Sequence, residues 1–474
     1  MATVTQQIRT LADLANRRVA VLGLARSGIA AARALSDAGA RVTVYDRRTA
    51  DELRAAVESL GGRPVRLALA APPAEVVPLL AGADMVVTSP SVSPRFPTTD
   101  PWLREALVAA EAAGVEVVSE IELFLRLTRA RVLGITGTKG KTTTTALVGA
   151  ILERAGLPHA VGGNIGTPLL ERLDELGPDR WAVLELSELQ LPTISRGADL
   201  AVYTNIAADH LDRHGSVEAY RAVKARLAEL TTPDGRIILN ADDPGCVDLA
   251  RHLDGAIHWY GMDAPELEAS APHAEVVLGG ASLLSVAEVP LPGRHMLANV
   301  LAAALAAHLA GADRAAIAAA IRDFPGVPHR LETIRVAGGV RWVNDSQATI
   351  PLAALAALRA FDAPVVLVAG GQGKGLDTAE LVNEIAARCR AAVLIGETAA
   401  ELQRGIADRV PVVRAADIDE AVERAARLAQ PGDVVLLSPA AASFDMFADY
   451  AARGDAFRAA VMRRPGDDVG GTEL

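Results

Sequence analysis

Cysteine is scarce in this chain. Two occur in 474 residues, Cys246 and Cys389, which excludes a disulfide-stapled secreted fold and fits a reducing compartment. Positive charge is in deficit: 47 Lys and Arg against 58 Asp and Glu give a formal net charge of −11. That balance argues against generic affinity for nucleic acid or anionic lipid and confines any phosphate binding to a local basic pocket. Long apolar runs are missing too. The longest, 297–310, is interrupted by Asn299 and His308 and is too short to span a bilayer. The first 30 residues lack the charged start, apolar core and cleavage site of a secretory signal. The expectation is a cytoplasmic monomer acting on small molecules, with no nucleic-acid or membrane partner.

What is present is a globular composition, 50% hydrophobic and 22% charged. At roughly 150 residues per domain the length suggests about three domains. Short β-branched runs alternate with Ala- and Leu-rich helical stretches: Val19–Leu22, Val42–Tyr45, Met85–Thr88, Val115–Val118, Val132–Thr136, Val183–Leu186, Val202–Asn205 and Ile237–Asn240. Such alternation predicts parallel sheets covered by helices. Between about 263 and 290 the chain becomes strand-like and irregular, then helical from His295 to Leu309. After the Pro- and Gly-bearing stretch Phe324-Pro-Gly-Val-Pro328 the pattern resumes at Arg341–Val343, Val365–Ala369, Val393–Ile395 and Val434–Leu437, which places a boundary near 325–330. The tail after Arg464 reads as frayed.

The segment Val132-Leu-Gly-Ile-Thr-Gly-Thr-Lys-Gly-Lys-Thr-Thr143 is a strand, a Gly-rich turn and a Lys-Thr pair opening a helix. Gly137 and Gly140 let backbone amides turn toward phosphate oxygens, and the helix N-terminus adds positive potential. Lys141 can reach terminal phosphates, and Thr142 can offer a hydroxyl to Mg²⁺. The spacing departs from the general phosphate-loop pattern, because five residues separate Gly134 from Gly140 and two separate Gly137 from Gly140. A turn that binds nothing is the competing reading.

Downstream, Glu185 ends one strand and Asp209-His210 follows another, so both sit where strand C-termini open in an α/β sheet. A carboxylate and an imidazole there can hold a divalent ion. Equally, Glu185 can be a rim residue and Asp209 a helix N-cap. Near the start, Gly23-Leu-Ala-Arg-Ser-Gly28 follows a strand and Asp46 ends the next. This is a dinucleotide-type turn without its second glycine, since Ala25 stands where the backbone should approach a pyrophosphate. NAD binding is therefore disfavoured, and Asp46, Arg47 and Arg48 are left for another nucleotide-like ligand or for solvent.

These segments resemble the Mur ligase family over about residues 20 to 460. The resemblance is carried by Gly137-Thr-Lys-Gly-Lys-Thr142, Gly162-Gly-Asn-Ile-Gly166, Glu185-Leu-Ser-Glu-Leu-Gln190, Thr204-Asn-Ile-Ala-Ala-Asp-His210, Tyr220-Arg-Ala-Val-Lys224, Pro292-Gly-Arg-His295 with Asn299, Pro328-His-Arg330, Asn344-Asp-Ser346 and Leu437-Ser-Pro-Ala-Ala-Ala-Ser-Phe444. It implies an α/β protein of three domains, each a largely parallel sheet with flanking helices. These are a Rossmann-like N-terminal domain for the UDP substrate (1–118), a central P-loop-type ATPase (119–328) and a Rossmann-like C-terminal domain for the amino acid (329–474). The implied reaction is that of the D-glutamate-adding branch. ATP phosphorylates the carboxylate of UDP-MurNAc-L-alanine, and the amine of glutamate displaces phosphate from the acyl phosphate.

Carried over residue by residue, Gly137, Thr138, Lys139, Gly140, Lys141, Thr142, Thr143, Asn299, Arg330 and Asp345 match ATP-contacting positions. Arg330 and Asp345 come from the linker and third domain, which implies domain closure over the acyl phosphate. Thr142, Glu185 and His210 match Mg²⁺ positions, with two ions implied. Lys224 matches a lysine carbamylated by CO₂; an ammonium has no lone pair, so only the carbamate can serve a metal. On its own sequence context Lys224 reads as an exposed helix lysine. Lys141, Glu185, His210 and Lys224 are the implied catalytic set. Arg26, Ser27, Asp46, Arg47 and Arg48 match contacts to uridine diphosphate, and Asn164, Ser187 and Gln190 contacts to the muramoyl part. Thr349, Lys374, Ser443, Phe444 and Tyr450 match the amino-acid pocket, with Lys374 the cation for the glutamate side chain.

The chain departs from that pattern in Asn344-Asp-Ser-Gln-Ala-Thr-Ile350, where Gln347 stands in place of a lysine. A charge-assisted hydrogen bond is worth about 1.5–3 kcal/mol, so this substitution is expected to weaken glutamate binding roughly tenfold or more. Restoring lysine should then lower the KM for glutamate. Glu188-Leu189, Lys139 and Ala208 also depart from common choices. The alternatives are a sister ligase adding L-glutamate or another amino acid, including the folylpolyglutamate branch, and a nucleotide switch or NAD-dependent oxidoreductase. Ala25 counts against the oxidoreductase, and Lys374 with Ser443 against the switch.

Overall fold

The computed structural model describes residues 8–207, 216–291, 293–373, 375–406 and 408–464. Three sheets, each largely parallel with helices on its faces, are distributed over two compact units. Residues up to 289 together with 294–323 form the first unit, and 290–293 with 324 onward form the second. The tail after Arg464, expected to fray, lies outside the described residues.

The first sheet of the first unit runs Arg66–Leu69, Arg41–Asp46, Arg18–Leu22, Met85–Thr88, Glu116–Ser119, all parallel. Its central strands are buried almost throughout, as both-face coverage requires. After Arg18–Leu22 the chain turns through Gly23, at φ +92°, into the helix Arg26–Asp37. A Cβ on Gly28 would lie 1.8 Å from the Gly23 carbonyl oxygen. That turn therefore closes only on a glycine.

The second sheet has nine strands. Ala269–Ser270 pairs parallel with Ala256–Tyr260, followed by Arg236–Asn240, Leu200–Tyr203, Arg131–Thr136, Trp181–Glu185 and His159–Gly163. The irregular stretch before 290 resolves into short strands that extend this sheet, Ala269–Ser270 in parallel and then Glu275–Leu278 and Ala281–Ser285 in antiparallel fashion. Arg131–Thr136 lies between Trp181–Glu185 and Leu200–Tyr203, while the next strand in the chain, His159–Gly163, lies beyond Trp181–Glu185, and this change of direction opens a crevice at the C-terminal end of Arg131–Thr136. The helix Arg294–Leu309, buried over most of its length, packs on the helix Lys141–Arg154 beside that crevice.

Between the two sheets runs the helix Glu120–Leu127, buried except at Arg126. Its N-cap, Ser119, accepts from the Glu122 amide at 3.2 Å and shares a 2.7 Å hydrogen bond with Thr193. Glu122 accepts from the Ser195 amide at 2.7 Å, and Arg196 donates to the Leu125 and Thr128 carbonyls at 2.8 Å. Glu120 has no such support. It is 4% exposed, its Oε1 has no hydrogen-bond partner among the described residues, and burial, with Glu171 nearby, pushes its carboxyl up to about 8.

The second unit is a sheet in the order Glu332–Ala337, Val340–Asn344, Val434–Leu437, Val365–Gly370, Cys389–Ile395, Val412–Arg414, parallel apart from its first pair. Val365–Gly370 and Val434–Leu437 are buried at every position.

Glu120 yields a prediction about pH. The folded protein keeps this proton to about 8, while an unfolded glutamate loses it near its ordinary 4.5. Stability is therefore lost as pH rises from that ordinary value to the folded one, and levels off above it. Glu120→Gln should be the more stable protein above neutrality and should flatten that part of the profile. Parallel urea melts of the two proteins across that range would check it; profiles of identical slope would show that Glu120 ionises freely.

Candidate active site

The phosphate loop lies at the crevice of the nine-stranded sheet. Gly137 has φ +148° and Gly140 φ +86°. Space as well as conformation demands glycine here: a Cβ on Gly137 would lie 1.9 Å from Thr204 Oγ1, and one on Gly140 2.2 Å from Asn299 Oδ1. Asn299, 6% exposed on the helix Arg294–Leu309, thus sits directly on the loop. Asn205 brackets Lys139, accepting from its amide and donating to its carbonyl, both at 2.9 Å. Thr138 Oγ1 donates to the Ala207 carbonyl at 3.0 Å and lies 3.0 Å from the Tyr220 hydroxyl. Thr142 and Thr143 occupy the first turn of the helix behind the loop.

Two lysines converge on the same loop carbonyl. Lys141 Nζ donates to Gly137 O at 2.9 Å and to Thr138 O at 3.1 Å. Lys224 Nζ donates to Gly137 O at 3.0 Å and to Thr136 Oγ1 at 3.3 Å. Lys224 lies 5.5 Å from the centre of the Tyr220 ring and is 0% exposed. Its sequence context suggested an exposed helix lysine; the structure corrects this. The helix Val217–Glu229 docks through Tyr220, Lys224, Leu227 and Ala228, and the Lys224 carbonyl accepts from the buried Tyr203 hydroxyl at 2.8 Å.

Glu185, 1% exposed, ends the strand beside the loop. Its Oε1 accepts from Asn164 Nδ2 at 2.8 Å, whereas its Oε2 is buried with no hydrogen-bond partner among the described residues. A buried carboxylate oxygen left in this way is what a hard cation takes as a ligand, so the donor set fits Mg²⁺. His210, and Asp209 before it, lie outside the described residues. Beyond Glu185, Gln190 Oε1 accepts from both the Ser187 amide and hydroxyl at 3.0 Å.

At the first sheet, Asp46 is 5% exposed. It accepts from the Leu24 amide at 2.8 Å, from the Arg48 amide and Nε at 3.0 Å and from Arg48 Nη2 at 2.9 Å. Burial pushes this carboxyl up, but Arg48 and the two amides together hold it below the ordinary value. Asp46 and Arg48 thus hold each other and the turn. Arg47 is exposed, Ser27 half-buried, and Arg26 donates to the Gly166 carbonyl at 3.1 Å.

In the second unit, Asp345 is 6% exposed, and burial pushes its carboxyl up to about 7 against the Ser438 hydroxyl, the Leu331 amide and Arg330. Gln347, expected near the amino acid, uses its carboxamide oxygen on Arg330 Nε at 2.9 Å, while its backbone amide donates to the His329 carbonyl at 3.0 Å. Ser443 is buried, Thr349 half-buried, and Phe444 and Tyr450 exposed. Lys374 lies outside the described residues.

Sequence reasoning missed Arg453. It is 1% exposed and donates to Ser346 Oγ and O at 3.0 and 2.9 Å and to the Ala441 and Ala442 carbonyls at 3.1 and 3.2 Å. Burial brings its guanidinium down to about 10. One arginine thus ties the Asn344-Asp-Ser346 turn to the segment that ends in Ser443. The available signal was an arginine on the inward face of the helix Tyr450–Arg463, in register with Phe457 and Ala460.

Residues 135–307 match the Mur ligase middle domain, and residues 329–441 the Mur ligase, glutamate ligase domain. A UDP-N-acetylmuramoylalanine--D-glutamate ligase from Solibacter usitatus is 42% identical over 446 residues, covering 94% of this chain and 97% of that protein. A ligase of the same name from Anaeromyxobacter dehalogenans is 43% identical over 472 residues, with the same coverage, 94% and 97%. The solved structure of the UDP-N-acetylmuramate-alanine ligase of Thermotoga maritima shares the fold, with a TM-score of 0.58 at 18% identity, covering 94% of this chain and 99% of that one. The chain belongs to the Mur ligase family.

Proposed function

We propose that this protein is the ATP-dependent ligase that joins D-glutamate to UDP-MurNAc-L-alanine in the cytoplasmic stage of peptidoglycan synthesis, acting as a monomer. The observation that carries the reading is the convergence of Lys141 and Lys224 on the Gly137 carbonyl, beside a Glu185 carboxylate with one buried oxygen to spare. It is supported over 94–96% of the chain by relatives named UDP-N-acetylmuramoylalanine--D-glutamate ligase at about 40% identity. In this reading residues 1–118 bind the UDP end, 119–328 bind ATP and 329–474 receive the amino acid.

The chemistry follows from what a carboxylate lacks. It is a poor electrophile, and transfer of the terminal phosphoryl of ATP gives it a leaving group; the glutamate amine then forms the amide and phosphate departs. The loop amides of 137–143 and Lys141 hold the phosphates, and Lys141 reaches them by releasing the two carbonyls it now contacts. Asn299 braces the loop at Gly140, and Arg330 and Asp345 complete the nucleotide contacts. Mg²⁺, held by Thr142, Glu185, His210 and Lys224 as its carbamate, would supply charge neutralisation on the phosphoryl oxygens. On a lysine buried as completely as Lys224, a carbamate would replace a desolvated cation by an anion able to ligate a metal. Arg26, Ser27, Asp46, Arg47 and Arg48 face the UDP end, with Ser187 and Gln190 toward the muramoyl part. Thr349, Lys374, Ser443, Phe444 and Tyr450 form the amino-acid pocket.

The first experiment is phosphate release from ATP with UDP-MurNAc-L-alanine, Mg²⁺ and bicarbonate, with D- and L-glutamate in parallel. Turnover confined to D-glutamate is expected. Turnover confined to L-glutamate would keep fold and mechanism and move the protein to the sister activity. Lys224→Ala should lose most of this activity, and near-normal turnover would remove the carbamate from the reaction.

Gln347 allows a sharper prediction. A lysine there has no lone pair with which to accept from Arg330 and would set two cations side by side. Gln347→Lys should therefore raise the KM for ATP roughly tenfold, the worth of one charge-assisted hydrogen bond, without lowering the KM for glutamate. A lowered glutamate KM would return Gln347 to the amino-acid pocket.

A further inference from the structure

Asn164 follows the strand His159–Gly163, at the edge of the nine-stranded sheet and next to the strand that ends in Glu185. Its backbone amide and its Nδ2 each donate to that one residue. The Asn164 amide donates to the Glu185 carbonyl at 2.9 Å, and Nδ2 donates to Glu185 Oε1 at 2.8 Å. The approach is set by Gly163, at φ +94°, where a Cβ would lie 2.3 Å from the same Glu185 carbonyl oxygen. The backbone of 163–164 therefore wraps the end of the strand at the Glu185 carbonyl, while the Asn164 side chain holds the Glu185 carboxylate.

The grip is one-sided. Glu185 is 1% exposed, Oε1 is anchored, and Oε2 is buried without a hydrogen-bond partner among the described residues. Leaving a buried carboxylate oxygen unpaired is costly unless something cationic comes to it. Fixing the companion oxygen chooses which oxygen that is and removes the rotation the carboxylate would otherwise lose on binding. Removing groups that orient ligating carboxylates in this way typically weakens metal binding by roughly 10- to 100-fold.

We propose that Asn164 is a positioning residue for Glu185, holding Oε1 so that Oε2 is presented to the divalent cation. The inference rests on the reading of Glu185 as a metal ligand. It also differs from the role that family resemblance implies for Asn164, a contact to the muramoyl part of the substrate, and the two roles separate experimentally. Asn164 is exposed, so Asn164→Ala removes the tie without opening a hole in the core.

The test uses the full chain with Mn²⁺ as probe, in the presence of a non-hydrolysable ATP analogue and UDP-MurNAc-L-alanine. Bound Mn²⁺ is read from loss of the free-ion electron paramagnetic resonance signal, with Glu185→Gln as the reference for loss of the ligand. Asn164→Ala should bind Mn²⁺ about tenfold more weakly or worse, the range seen when outer-shell partners are removed. In turnover its Mg²⁺ requirement should rise by a similar factor while saturating Mg²⁺ restores most of kcat, which a misfolded site would not allow. Mn²⁺ affinity equal to wild type would overturn the proposal, whether or not the KM for the UDP substrate rises. Were the wild type inactive with both glutamates yet the two proteins still different in Mn²⁺ affinity, the assigned reaction would fail and the positioning role would stand.

Discussion

The Gly137 carbonyl accepts hydrogen bonds from both Lys141 and Lys224, and the geometry of the centre depends on that shared oxygen. It is available because Gly137 adopts φ +148°, a conformation closed to other residues and packed against Thr204. Strand order supplies the rest. Arg131–Thr136 runs between Trp181–Glu185 and Leu200–Tyr203, so the ends of three neighbouring strands deliver the loop, Glu185, and Thr204 with Asn205 to one crevice. Two helices complete it from outside the sheet, one bringing Asn299 onto Gly140 and the other bringing Lys224 beneath the loop.

How much of this was legible in the sequence depended on whether a feature was local. Parallel strands buried on both faces must be continuous apolar runs, and Val365–Gly370 or Val434–Leu437 can be read from composition alone. Strands at a sheet edge or with little burial could not. Arg66–Leu69 has no fully buried residue, His159–Gly163 ends in two glycines, and Ala256–Tyr260 is buried only at its last residue. The phosphate loop was legible because glycine spacing encodes its backbone directly. Lys224 was not, because its burial is decided by where a helix docks, and a lysine on an Ala- and Arg-bearing helix reads as solvated until Tyr220 and Leu227 are seen to face the sheet.

The same distinction explains Gln347. As a sequence position it is a missing cation, and the natural inference concerns the anion that cation would have met. In the fold its carboxamide oxygen belongs to Arg330, held between His329 and Leu331, two non-glycine residues at positive φ. Such backbone strain, of order 1–3 kcal/mol per residue, persists only where surrounding contacts fix it. Here those contacts include the Gln347 amide on the His329 carbonyl and Asp345 on the Leu331 amide.

Buried charge in the second unit follows from that requirement. Arg453 and Asp345 are both nearly inaccessible, yet each is bonded mainly to neutral groups: Arg453 to three carbonyls and a hydroxyl, Asp345 to a hydroxyl and an amide. An apolar pair would be cheaper to bury, but it could not hold turns whose backbone carbonyls point inward. A guanidinium offers several donors in one rigid plane, and Arg453 spends four hydrogen bonds joining Ser346 to Ala441 and Ala442. The two segments so joined lead to Thr349 and to Ser443. Desolvating a cation is the cost of fixing two loops with one side chain, and the same burial lowers the affinity of Arg453 for its proton.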